Sequence, residues 1–185
     1  MSDLKNFKYM FEKILNNSNN SSIEVTLALS DICYFTQMIA SYLNPGDWIF
    51  LDGDLGAGKT AFTKELSISL GANQFSTSPT FSIINSEKLN PNKGILNKNL
   101  NILNLIHLDL YRIKRGEELF YLGLESAFNI QSSICVFEWP YQVEEEDFEN
   151  FFKVTNCPRP KRMIEILIDI GSDNLNRTYR IKKIL

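Results

Sequence analysis

The sequence predicts an α/β layered domain around a mainly parallel central β-sheet flanked by helices. Three observations carry that expectation. Apolar runs short enough for strands outnumber helical patterns; the early chain alternates strand, helix, strand, helix; and a cluster of glycines stands between the second strand and the helix after it. At 185 residues, 44% of them hydrophobic, the chain can bury one core, and no shift in composition marks a second.

Taken in order, Leu4, Phe7, Phe11 and Ile14 recur at helical spacing ahead of an Asn/Ser-rich stretch, so residues 1–22 read as an extension made of a short helix and a linker. Residues 23–185 then read as a single domain. SIEVTLALS alternates apolar and polar positions at period two, the pattern of a strand with one buried face. Ser30 is placed to cap a helix through DICYFTQMIASYL, with Ile32, Phe35, Ile39 and Tyr42 on one side, and NPGD ends it. A strand over residues 48–51 leads into the glycines. Beyond them, Phe62, Leu66 and Leu70 line a helix that Gly71 is placed to close. FSII, LIHLDL, ICVFEW, MIEILIDI and TYRIKKI read as strands, the last more exposed. The Asn-rich segment 90–101 reads as a loop or hairpin tip, and the acidic run 144–147 as a solvated turn.

A formal charge of −3 supplies no overall basic field with which to neutralise a phosphate backbone, so any nucleic-acid contact is expected to be local or made through a partner. Cys33, Cys135 and Cys157 are widely spaced and form no CxxC pair, which points to reduced thiols. The first 22 residues carry Asp3 and Glu12 among lysines without a continuous apolar stretch, and no run approaches membrane-spanning length. A cytoplasmic protein with no membrane association is expected.

The segment FLDGDLGAGKTAF, residues 50–62, holds the strongest signal. Gly53, Asp54, Leu55, Gly56, Ala57, Gly58, Lys59 and Thr60 fit G-x-x-x-x-G-K-[ST], the phosphate-binding loop. A match by accident is expected in fewer than ~1% of chains of this length at ordinary residue frequencies. The chemistry requires each part. Glycines allow the backbone to wrap so that its N–H groups meet phosphate oxygens, and the next helix, entered through Lys59, Thr60 and Ala61, presents its positive end. Lys59 brings a charge to the β- and γ-phosphates, and the Thr60 hydroxyl suits magnesium. A P-loop NTPase-like domain that takes ATP/ADP with Mg2+ is the consequence. Guanine readers of the Ras type use Asn-Lys-x-Asp, and neither Asn92-Lys93 nor Asn97-Lys98 is followed by Asp two residues on, which favours ATP.

Hydrolysis needs a second carboxylate near magnesium at the end of a buried strand. Glu138 ends ICVFEW and Asp109 falls within LIHLDL; the competing readings are a surface strand end and a turn cap. His107 shares Asp109's face of the strand and reads equally as a core histidine or a participant. Trp139 reads as a stacking or a packing residue, and Arg112 as a phosphate or an ion-pair partner.

GDLGAGKT, SPTF (78–81), HLDLYR (107–112), LGLE (122–125) and FEWP (137–140) together, in that order, resemble the TsaE (YjeE) family, a small bacterial ATPase of tRNA threonylcarbamoyladenosine synthesis. The resemblance implies that the protein acts with TsaB, TsaD and the enzyme that makes threonylcarbamoyl-adenylate to modify adenosine 37. It implies a weak ATPase that binds the TsaB–TsaD complex and resets it between turnovers, with tRNA met through that complex. It also implies roles: Lys59 for the phosphates, Thr60 and Glu138 for magnesium, Asp109 for activity, Thr80 as a switch-like residue near the γ-phosphate, and Trp139 as an activity-linked tryptophan. Three departures stand out. The N-terminal extension and the Asn-rich insert exceed the compact pattern, and Tyr141 stands where an acidic residue often follows FEWP. A small-molecule kinase built on the same loop is the alternative reading. Such a kinase generally needs an arginine-bearing lid, and residues 116–157 contain no Arg.

Overall fold

The computed structural model describes residues 2–16, 21–73, 83–90, 92–94, 102–128 and 132–185. Its strands are β1 (Ser22–Ala28), β2 (Asp47–Asp52), β3 (Ile84–Lys88), β4 (Asn104–Asp109), β5 (Ser133–Glu138), β6 (Arg162–Ile170) and β7 (Asn176–Lys183). Its helices are α1 (Ser2–Asn16), α2 (Ile32–Ala40), α3 (Lys59–Ser69), α4 (Leu124–Phe128) and α5 (Glu145–Thr155). One seven-stranded sheet runs in the order β1-β7-β6-β2-β5-β4-β3. The central strands β6, β2, β5 and β4 are parallel, while β7, β1 and β3 add antiparallel pairs at the two sides.

Alternation along the strands explains why helices cover both faces. In β2, Ile49 and Leu51 join one core with Phe35 and Ile39 of α2 and Phe62 and Leu66 of α3. Trp48 and Phe50 point the other way, into a second core with Phe148, Phe151 and Phe152 of α5 and Phe128 of α4. The N-terminal helix belongs to the first core. Phe7, Phe11, Ile14 and Leu15 of α1 are buried there, with Phe7 against Phe35 and Phe11 edge-on to Tyr42.

Several local expectations shift. Leu29–Asp31 form a 3-10 turn, so α2 starts after Asp31, and Ser30 is not its cap. The segment 81–84 read as a strand begins at residues outside the described ones, and pairing runs instead through Ile84–Lys88 against β4. Of the segment 90–101, only residues 90 and 92–94 are described. The acidic run, exposed from Glu144 to Glu146, is not a turn: Glu144 precedes α5, and Glu145, Glu146 and Asp147 form its first turn, where the helix dipole favours carboxylates. Gly71 does close α3. Its N–H reaches the Ile68 carbonyl at 3.0 Å and the Ala72 N–H the Ser67 carbonyl at 2.9 Å, the paired bonds of a Schellman end. Cys33, Cys135 and Cys157 are free thiols; burial pushes the Cys135 thiol well above its ordinary value. Among the described residues, no helix is long and apolar enough to cross a membrane.

Candidate active site

The sheet gathers the candidate residues at one end. β2 lies between β6 and β5, so its C-terminal end opens into the glycine loop with strand ends on both sides. Register sets Leu51 of β2 and Asp109 of β4 opposite Glu138 of β5. Carboxylates on two neighbouring strands therefore meet the loop that leads into α3, where ligands of parallel sheets bind.

All three glycines of the loop, Gly53, Gly56 and Gly58, have positive φ. Gly53 has φ +139, and a Cβ there would fall 2.3 Å from the Ile168 carbonyl oxygen, so both backbone angle and space require glycine. Gly58, the residue before α3, has φ +110 with open space around it, so only the left-handed backbone demands it. Between them Asp54, Leu55 and Gly56 are exposed, Leu55 to 80%, while Ala57 is buried in the first core and its N–H bonds the Asp54 carbonyl at 3.0 Å.

Lys59 opens α3 and is only 5% exposed. Its Nζ donates to the carbonyl oxygens of Gly53 at 2.5 Å and Asp54 at 3.0 Å and lies 3.7 Å from the centre of the Trp139 ring. Burial pushes this ammonium below the ordinary lysine value, against the opposing pull of the Glu138, Asp52, Asp109 and Asp54 carboxylates. Among the described residues, no carboxylate is in ion-pair contact with it. Carbonyl dipoles and an aromatic face thus hold a buried cation, a setting that suits an incoming anion.

Thr60, next in the helix, donates its hydroxyl to Glu138 Oε2 at 2.9 Å. The other carboxylate oxygen, Oε1, lies 2.7 Å from Nε2 of His107, which is 1% exposed. Glu138 is therefore neither a surface residue nor loose, and His107 is a hydrogen-bonded core histidine that braces it. Asp109, 7% exposed, accepts the Tyr111 N–H on Oδ1 at 3.2 Å, and its own N–H bonds the Ile83 carbonyl.

Trp139 lies just outside β5, in the left-handed region at φ 57 and ψ 48. Its N–H still bonds the Leu51 carbonyl at 3.2 Å, which keeps the chain on β2 while the side chain turns toward Lys59. The Tyr111 ring stands 5.1 Å from it. Ala61 is exposed in the first turn of α3. Thr80 and the rest of SPTF lie outside the described residues. Sequence reasoning missed Asp52, whose carboxylate acts on Lys59, and Arg177, which binds loop carbonyls from 120 residues away. Asp52 was legible as the strand-end acid before Gly53; Arg177 left no local pattern.

Comparison with known proteins places the chain in a family and a fold. The sequence model described as "Threonylcarbamoyl adenosine biosynthesis protein TsaE" matches residues 28–165. The tRNA threonylcarbamoyladenosine biosynthesis protein TsaE of Bacillus subtilis is 39% identical over 110 residues, which is 60% of this chain and 61% of that protein. Its namesake in Rickettsia typhi is 39% identical over 106 residues, 57% and 65% of the two chains, and that of Treponema pallidum 30% over 122 residues, 66% and 81%. In the first two, the matched stretch spans less than two thirds of the relative's length. The crystal structure of Bacillus subtilis YdiB superposes with a TM-score of 0.60 over 91% of this chain and 90% of that one, at 25% identity. This shared fold is P-loop NTPase-like. With the family model covering most of the described sheet and the glycine loop, the chain belongs to the TsaE family.

Proposed function

We propose that this protein is an ATPase of tRNA N6-threonylcarbamoyladenosine modification at position 37, working in the cytoplasm on the TsaB–TsaD complex. ATP binding and hydrolysis would reset that complex between turnovers, with tRNA met through it. The observation that carries the reading is the convergence on one loop of a buried lysine, without a carboxylate partner among the described residues, and a threonine–glutamate pair 2.9 Å apart.

The chemistry follows from charge. Lys59 and the loop amides would take the phosphates, replacing the Gly53 and Asp54 carbonyls as partners of the ammonium. Thr60 and Glu138 are hard oxygen donors of the kind Mg2+ takes, and they would hold it together with phosphate oxygens. When bound, that ion neutralises charge on the β- and γ-phosphates. Glu138 arrives pre-oriented, because His107 fixes one carboxylate oxygen and leaves the other facing Thr60. Asp109, one strand over in register with Glu138, would orient the attacking water or report the nucleotide state to the partner. Resetting a complex further requires that the ATP and ADP forms bind it with different affinity, since a ligand shifts an equilibrium only through differential binding.

ATP hydrolysis by the purified chain, alone and with TsaB–TsaD added, tests the reading, with Lys59→Ala as control. Turnover that the complex stimulates and that Lys59→Ala abolishes is expected. A rate indifferent to the complex would sink the partner assignment, and full turnover by Lys59→Ala would sink the site.

A further inference from the structure

Arg177 lies in β7, beyond the 28–165 stretch that carries the family match. It is 7% exposed, yet among the described residues its guanidinium makes no ion pair. It binds carbonyls instead. Nε donates to the Ala57 oxygen at 2.9 Å, and Nη2 makes a longer contact, 3.5 Å, with the Gly56 oxygen. Nη1 donates to the oxygens of Asn174 and Asn176 at 3.1 and 2.8 Å. One buried cation thus ties two consecutive carbonyls of the phosphate loop to the turn between β6 and β7.

The geometry of the peptide unit gives this tie a consequence. A trans peptide is planar, with its C=O and N–H on opposite edges, and no peptide bond among the described residues is cis. Holding the Ala57 carbonyl against Arg177 therefore directs the Gly58 N–H away from β7. The Ala57 N–H is already taken by the Asp54 carbonyl, whereas the Gly58 N–H that Arg177 aims has no acceptor among the described residues. The anchor is itself braced. Asp173 Oδ1 accepts the N–H groups of Leu175 and Asn176 at 2.9 and 3.0 Å. The start of the loop rests on the same hairpin, where Gly53 packs against the Ile168 carbonyl.

We infer that Arg177 is a positioning residue for phosphate binding: by fixing the Ala57 carbonyl on the β6–β7 hairpin, with the longer contact to the Gly56 carbonyl beside it, it sets the direction of the Gly58 amide toward the nucleotide's phosphates. The inference rests on the nucleotide reading above. An arginine that merely cross-linked the fold would affect stability alone. A positioning arginine affects affinity for phosphate-bearing ligands and spares the nucleoside.

The experiment uses the full chain, Arg177→Met and Arg177→Lys, with fluorescent N-methylanthraniloyl-ADP displaced by ADP or by adenosine, and circular dichroism as the check on folding. Arg177→Met is expected to weaken ADP binding at least tenfold, equivalent to about 1.4 kcal/mol, while adenosine binding changes less than twofold. A folded Arg177→Met that binds ADP within twofold of the unsubstituted chain overturns the inference, as does an equal loss for ADP and adenosine. Should Arg177→Met fail to fold, Arg177→Lys decides, because it keeps the charge but loses the planar fork. Weakening of ADP threefold or more supports the role, and a smaller change overturns it. An unsubstituted chain that binds no ADP would overturn the nucleotide reading and this inference with it; retained ADP binding in a folded variant overturns this inference alone.

Discussion

The two ends of β2 each bury a charge, and they treat it in opposite ways. At the N-terminal end, Asp47 is 1% exposed and meets Arg162 through two bonds, Nε at 3.2 Å and Nη2 at 2.5 Å. The Asn44 N–H bonds the same carboxylate at 2.7 Å, and Arg162 Nη2 also donates to the Tyr42 carbonyl. At the C-terminal end, Lys59 has carbonyls and an indole ring around its ammonium but, among the described residues, no carboxylate in contact. One end is closed and structural. The other leaves its cation on carbonyls and a ring, without a carboxylate among the described residues, as the phosphate-binding role proposed for Lys59 requires, and the difference teaches how a buried charge that holds the fold can be told from one arranged to take a ligand.

Breaking the closed end gives the largest expected effect. Burial keeps the Asp47 carboxyl above its ordinary value even with Arg162 alongside, so the pair adds little net stability, yet removing one partner strands the other. Asp47→Ala is expected to lose about 3–5 kcal/mol in urea unfolding, while the folded fraction binds nucleotide as before. A loss below ~1 kcal/mol, within the range of exposed pairs, would erase the contrast between the two ends.

At the open end, Glu138→Gln keeps the shape of the side chain and removes its charge. Turnover is expected to fall on the order of 100-fold, as for loss of one preorganised electrostatic group, with the magnesium dependence shifted to higher concentration. Stability should change little. Wild-type turnover and magnesium dependence in a folded Glu138→Gln would show that Thr60 and Glu138 hold each other rather than an ion.

The closed end and the open end were not equally legible in the sequence. Gly53, Gly58, Lys59 and Thr60 could be placed because the phosphate loop is local, and its chemistry fixes residue types at fixed spacing. Glu138 and Asp109 could be placed because each ends an apolar strand. The Asp47–Arg162 pair and the Arg177 contact span more than a hundred residues and depend on strand order, which no local pattern encodes. The same limit hid α5. Phe148, Phe151 and Phe152 face the second core, but the acids ahead of them looked like a turn until the helix start gave them a reason. Packing likewise placed α1 within the first core, where periodicity alone had shown only an amphipathic helix.

A smaller effect concerns the ring over Lys59. Trp139→Leu retains apolar bulk and loses the cation–π contact, for an expected cost of about 0.5–1 kcal/mol. In a Lys59→Met background that cost should vanish, and a double-mutant cycle reads the difference. Equal costs in the two backgrounds would assign Trp139 to ordinary packing.

The smallest effect is a pH dependence, and its sign follows from the open end. Burial lowers the Lys59 value in the folded chain relative to 10.5, so between the folded value and 10.5 the unfolded state binds more protons than the folded one. Stability then rises with pH across that window, and falls as pH drops through the folded value and the ammonium ionises inside the loop. Lys59→Met removes the group and with it this slope. Measured as the difference between the two proteins in urea unfolding, the stability of the unsubstituted chain should gain on Lys59→Met as pH rises toward 10.5 and level off above it. ADP should flatten the trend, because its phosphates supply the negative charge that stabilises the ammonium and raise its folded value. A difference independent of pH without nucleotide would mean that the surrounding carboxylates already balance the burial of Lys59, and the two ends of β2 would be closed alike.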